Sequence, residues 1–136
     1  MRDEGGPREL LDMAGGLLRR ADPATAGLWP RTSALLARQA LEASVLRLWE
    51  RRMLDLGGCS MRAQLICLRT YLGDPDLAAR TALAWSSLSR ACHHHPYELA
   101  PTAGELEGWF SVVGELVRKV GAPADQAPAR PSSPRP

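Results

Sequence analysis

Apolar residues recur three and four positions apart through most of this chain, and no segment alternates apolar and polar residues in the period of a strand. The pattern predicts an all-α fold. A long helix is expected over residues 31–56, capped by Thr32 or Ser33 and stopped by Gly57-Gly58, with Leu36, Gln39, Ala43, Leu46, Trp49, Met53 and Leu56 as its inner stripe. A shorter one over 60–72 carries Met61, Leu65, Leu68 and Leu72 on one face and ends at Gly73. Asp74 is a good N-cap with Pro75 at the first helical position, and Leu77, Thr81, Trp85, Leu88 and Cys92 then continue at helical spacing. Pro96 disfavours helical geometry at His95, which places the end of that helix near His94. The last helix opens on the capping box Thr102-x-x-Glu105, runs through Leu106, Trp109, Phe110, Val113, Leu116, Val117 and Val120, and stops at Gly121.

These four helices, joined by short connections, predict an up-and-down four-helix bundle with its core over about residues 31–121. Ahead of them, residues 7–20 read as an additional, weak N-terminal helix: Pro7 suits an opening turn, but Gly15-Gly16 costs up to ~2 kcal/mol against alanine. Beyond residue 121 the stretch APADQAPARPSSPRP has five prolines and no apolar periodicity, so residues 122–136 are expected to be a disordered tail on a single domain of residues 1–121.

Composition narrows the function classes. A net charge of +2 with 24% charged residues describes a globular domain, so any basic surface is local. Three cysteines, Cys59, Cys67 and Cys92, form no C-x-x-C pair and fit reduced thiols in a cytosol. No apolar run reaches the roughly 18 residues a membrane helix needs, and the opening MRDEGGPREL is not signal-like, so a cytoplasmic protein without membrane attachment is expected.

The chemistry concentrates in SRACHHHPYELAPTAGE, which holds every histidine of the chain. Adjacent helical residues point about 100° apart, so His93, His94 and His95 cannot converge on one zinc ion, and no H-x-x-x-H pattern is present. Only His93 with a partner elsewhere is left open as a metal arrangement, and no metal or cofactor is expected. A histidine-rich turn favoured by the helix dipole is a second reading. The third counts from the arginine: Arg90 to His95 is R-x-x-x-x-H across a helix end. Arginine offers planar donors to phosphate oxygens and histidine exchanges protons near neutrality, so the pair suits phosphate chemistry. His94, one helical turn after Arg90, is a rival for the histidine role. Near the end of the long helix, Arg47, Arg51 and Arg52 form a basic patch that offers RNA phosphates a contact or serves as a solvated face. Trp49, Trp85 and Trp109 lie on apolar stripes and read as core; Trp29 beside Pro30 reads as part of a turn.

Two segments carry a resemblance. LLARQALEASVLRLW at residues 35–49 looks like the long second helix of HEPN domains, and LSRACHHHPYELAP at 88–101 looks like their R-x(4–6)-H signature with its following turn. The resemblance implies a helical bundle that dimerises, two motifs forming one composite cleft. In active relatives this cleft is a metal-independent endoribonuclease site, where the 2′-hydroxyl attacks the adjacent phosphate. Carried over, Arg90 takes the phosphate-orienting role and His95 or His94 the acid/base role, with Tyr97 and Glu98 in support. HEPN nucleases usually place a polar residue directly after the arginine, where this chain has Ala91. The expected function is therefore RNA cleavage by a homodimer, in a toxin, defence or stress-response setting with an antitoxin or nucleotidyltransferase-like partner. The alternatives are a non-catalytic HEPN-like interaction module and a helical ligand-binding or regulatory protein.

Overall fold

A computed structural model describes residues 5–20, 29–93 and 97–122. Among them are five α-helices and no strand: α1 (Pro7–Arg19), α2 (Trp29–Arg51), α3 (Met61–Tyr71), α4 (Pro75–Cys92) and α5 (Ala103–Gly121). The chain is an all-α helical bundle, as the periodicity predicts. Of the expected tail, only Ala122 falls within the described residues.

The side-chain contacts give the helix directions. Trp85 on α4 bonds Glu42 on α2, and the later residue Cys92 lies near the earlier Arg38, so α4 runs antiparallel to α2. Arg80 pairs with Glu115, while residues near the end of α4 share a cleft with Trp109 near the start of α5, so these two are antiparallel as well. Ser33 Oγ donates to the Ala14 carbonyl at 2.9 Å across the α1–α2 connection. Thus α1, α2, α4 and α5 are the long members of the bundle. Gln64 near the start of α3 and Tyr71 at its end both touch Trp49, so this short helix lies across the C-terminal end of α2.

The weak N-terminal helix is continuous and packed. Ala14 is fully buried and Gly16 buried, with Leu10, Leu11 and Leu18 half-buried against the core. Tertiary burial of Ala14 and the α1 leucines outweighs the low intrinsic propensity of Gly15 and Gly16.

The predicted caps of α4 and α5 are present, whereas Thr32 and Ser33, expected to cap α2, lie inside it. Asp74 accepts the Leu77 N–H at 3.0 Å with Pro75 opening α4, and Thr102 with Glu105 forms the full capping box of α5. Gly73 takes a left-handed φ of 74° where α3 ends, a conformation glycine adopts without strain.

In α2 the structure departs from the pattern. The helix starts at Trp29 and ends at Arg51, and its buried positions are Pro30, Ser33, Ala34, Ala37, Ala40, Leu41, Ser44, Val45, Leu48 and Trp49. Of the expected stripe, Trp49 is buried and Leu36, Ala43 and Leu56 are half-buried, but Gln39, Leu46 and Met53 are exposed. The inner face is built from small residues because α2 touches all four other helices, and close approach of several neighbours favours Ala and Ser over Leu. The helix ends five residues early because Met53 turns left-handed at φ 56°: the Met53 N–H reaches the Glu50 carbonyl at 3.1 Å and the Leu54 N–H the Trp49 carbonyl at 2.9 Å, a Schellman motif. Trp29, expected in a turn, opens α2 and packs against the core.

Candidate functional site

The helix that was expected to present the histidines ends two residues sooner than predicted, at Cys92. His93 is its C-cap, extended at φ −95° and ψ 138°, with its N–H donating to the Arg90 carbonyl at 3.2 Å. His93 is thereby held one turn from Arg90 and aimed off the helix. His94 and His95, the expected acid/base candidates, lie outside the described residues.

A cleft of about 480 Å³ opens at this end of α4. Leu83, Ser86, Ser87 and Arg90 form one wall, a single face of α4 at i, i+3, i+4 and i+7. His93 and Ala91 close that wall, and Glu98 and Leu99 enter from the connection to α5. The opposite side is made by Glu105 and Trp109 from α5 and by Arg31 from α2. Because α4 runs against both neighbours, its C-terminal end meets the first turns of α2 and α5, whose amide ends carry partial positive charge. Arg31 and Arg90 line the hollow together with Glu98 and Glu105, so cationic and anionic side chains share it.

The charged groups of the cleft differ in how they are held. Glu105 is committed to its capping box, its Oε2 accepting the Thr102 N–H at 3.4 Å. Among the described residues, the side chains of Arg90, His93 and Glu98 make no hydrogen bond or ion pair. An arginine, an imidazole and a carboxylate thus line one hollow with their bonding capacity open.

Behind the wall, a polar network fixes α4 to α2. Trp85 Nε1 donates to Glu42 Oε1 at 3.0 Å, Arg38 Nε donates to the same oxygen at 3.1 Å, and the Arg38 guanidinium carbon stands 6.0 Å from the Trp85 ring centre. Burial pushes the neighbouring Cys92 thiol up from its ordinary value, against the opposing pull of Arg38, so it sits there as a neutral packing group.

The other candidates lie elsewhere. Tyr97 is fully exposed and does not line the cleft. Arg51 donates to the Val120 carbonyl and, at 3.2 Å, to that of Ala122, and Arg52 Nη2 donates to the Tyr71 carbonyl at 3.0 Å. These two arginines tie down the C-terminal ends of α5 and α3, roughly 20 Å along α5 from the cleft. Arg47, half-buried on α2, does not line the cleft either. Trp49 is fully buried as expected, whereas Trp85 and Trp109 are half-buried.

Several cleft residues were not singled out from the sequence. Leu83, Ser86 and Ser87 share the outward face of α4 with the predicted Arg90, which helical spacing alone could have exposed, but Arg31 arrives only through the fold. Among the described residues, no group of three or more His, Cys, Asp or Glu side chains is placed to hold a metal ion, and no helix is long and apolar enough to cross a membrane. No protein-family model, curated protein or solved structure matches this chain.

Proposed function

We propose that the cleft at the end of α4 binds an RNA phosphodiester and that the protein is a HEPN-like, metal-independent endoribonuclease working as a homodimer. The observation that carries this reading is the cleft itself: Arg90 and His93 line it together, with Arg31 from α2. In this account Arg90 holds two phosphate oxygens through its planar fork and offsets the charge that builds up as the 2′-oxygen attacks. A histidine of the run after it moves the proton, the role the resemblance gives to His95 or His94. Dimerisation adds a second Arg90 and a second histidine run. The toxin or defence setting and the antitoxin or nucleotidyltransferase-like partner belong to the same reading.

One observation favours a second reading. Ala91 lines the cleft with a methyl group where HEPN nucleases usually carry a polar side chain, and a site without that group suits a non-catalytic RNA-binding or interaction module.

Arg90→Ala separates the two. It is exposed at a helix end, so the variant should melt at the wild-type temperature. Under the nuclease reading, cleavage of a single-stranded RNA pool falls by roughly 10²–10³-fold, the usual effect of losing a group that offsets transition-state charge. Binding without cleavage by the wild type, weakened by the same substitution, supports the module instead. Light scattering should give about twice the 14.8 kDa chain mass.

A further inference from the structure

Phosphodiester transfer by a neighbouring hydroxyl needs a base for the attacking oxygen, an acid for the leaving oxygen, and positive charge on the phosphate. The cleft holds one candidate for each within a single chain. We propose that Glu98 is the general base, His93 the general acid and Arg90 the phosphate clamp of one complete in-chain site. The inference rests on the RNA-cleaving reading and differs from the composite arrangement, in which two chains share the chemistry.

The choice of residues follows from how they are held. Two carboxylates line the cleft, but Glu105 is already bonded to the backbone of its own capping box, whereas Glu98 has no partner among the described residues. A free carboxylate can accept a proton without breaking a helix cap. His93 is the described histidine, and its backbone is pinned to Arg90 through the 3.2 Å bond from its N–H to the Arg90 carbonyl. The imidazole therefore starts from a fixed point one turn beyond the guanidinium. Glu98 lines the cleft from the connection between α4 and α5 that His93 begins. An in-line displacement requires base and acid to act on opposite sides of phosphorus, the roles the proposal gives to Glu98 and His93.

The step balances without metal or added reagent. The 2′-oxygen forms a bond to phosphorus as its proton passes to the Glu98 carboxylate. The bond from phosphorus to the 5′-oxygen breaks, and that oxygen takes a proton from the His93 imidazolium. The products are a 2′,3′-cyclic phosphate and a 5′-hydroxyl, and exchange with water returns the proton from Glu98 and restores one to His93. Trp109, half-buried in the opposite wall, offers its ring to an unpaired base, which points to single-stranded RNA as the substrate.

The test uses the full-length protein in EDTA with a single-stranded RNA. Glu98→Gln and His93→Ala should each lower cleavage by roughly 10²–10⁴-fold. Binding of the same oligonucleotide with a 2′-deoxy group at the cleaved position should change by less than about threefold, since neither residue is the phosphate clamp. Mixing the two inactive variants should restore nothing. Wild-type cleavage by Glu98→Gln, or activity regained on mixing, overturns the in-chain site while leaving RNA cleavage standing. A wild-type protein that cleaves no RNA overturns both.

Discussion

Trp49, Trp85 and Trp109 share one sequence signature, a tryptophan on an apolar helical stripe, and have three different surroundings. Trp49 is fully buried, its ring meeting Tyr71 edge-on at 5.9 Å and its Nε1 donating to Gln64 Oε1 at 3.0 Å. Gln64 in turn donates to the Cys59 carbonyl at 2.8 Å, so one indole anchors both α3 and the connection that leads into it. Trp85 is half-buried in the Glu42 and Arg38 network, and Trp109 forms a wall of the cleft. Trp49→Ala should therefore cost about 3–5 kcal/mol in denaturant unfolding, since it leaves a large cavity and an unpaired buried amide oxygen. Trp109→Ala should cost much less stability and weaken single-stranded RNA binding by about 1–3 kcal/mol, the worth of a base stacked on an aromatic ring. Equal stability losses with unchanged RNA binding would make Trp109 a packing residue only.

At the scale of the element, α2 shows where sequence patterns stop being informative. Asp74 and the Thr102 capping box act within four residues of themselves, and those helix starts were legible for that reason. The inner face of α2 was not, because burial there depends on which helices arrive from elsewhere. A rule that follows the large apolar residues selects Leu46 and Met53, which are exposed, over Ser33, Ala37, Ala40 and Ser44, which are buried. The end of α2 was hidden for a different reason. A Schellman motif normally announces itself with glycine at the left-handed position, and here that position is Met53. The left-handed backbone costs a side-chain-bearing residue about 1–2 kcal/mol, and glycine gives back up to about 1 kcal/mol through its freer unfolded state. Met53→Gly should thus raise stability by about 0.5–1 kcal/mol, roughly 2–4 °C in melting temperature for a chain of this length. The Met53 side chain is 92% exposed, so little packing is lost. A lower melting temperature would show that the side chain supports the turn.

For the molecule as a whole, the cleft exists because of helix direction. The C-terminal end of α4 meets the N-terminal turns of α2 and α5, which gathers Arg90 and His93 with Arg31, Glu98 and Trp109. Arg90 and a histidine at a helix exit were visible in the sequence as a short spacing. Their neighbours across the cleft were not, since Arg31 and Arg90 are separated by most of the bundle in sequence and meet only in the fold. The central claim is that this hollow cuts RNA with protein side chains alone. Its most direct measurement is the chemistry of the ends left when purified protein acts on a defined single-stranded RNA in EDTA. The account predicts undiminished cleavage, with 2′,3′-cyclic phosphate on one fragment and 5′-hydroxyl on the other. Cleavage that stops in EDTA, or fragments carrying 5′-phosphate and 3′-hydroxyl ends, would contradict it.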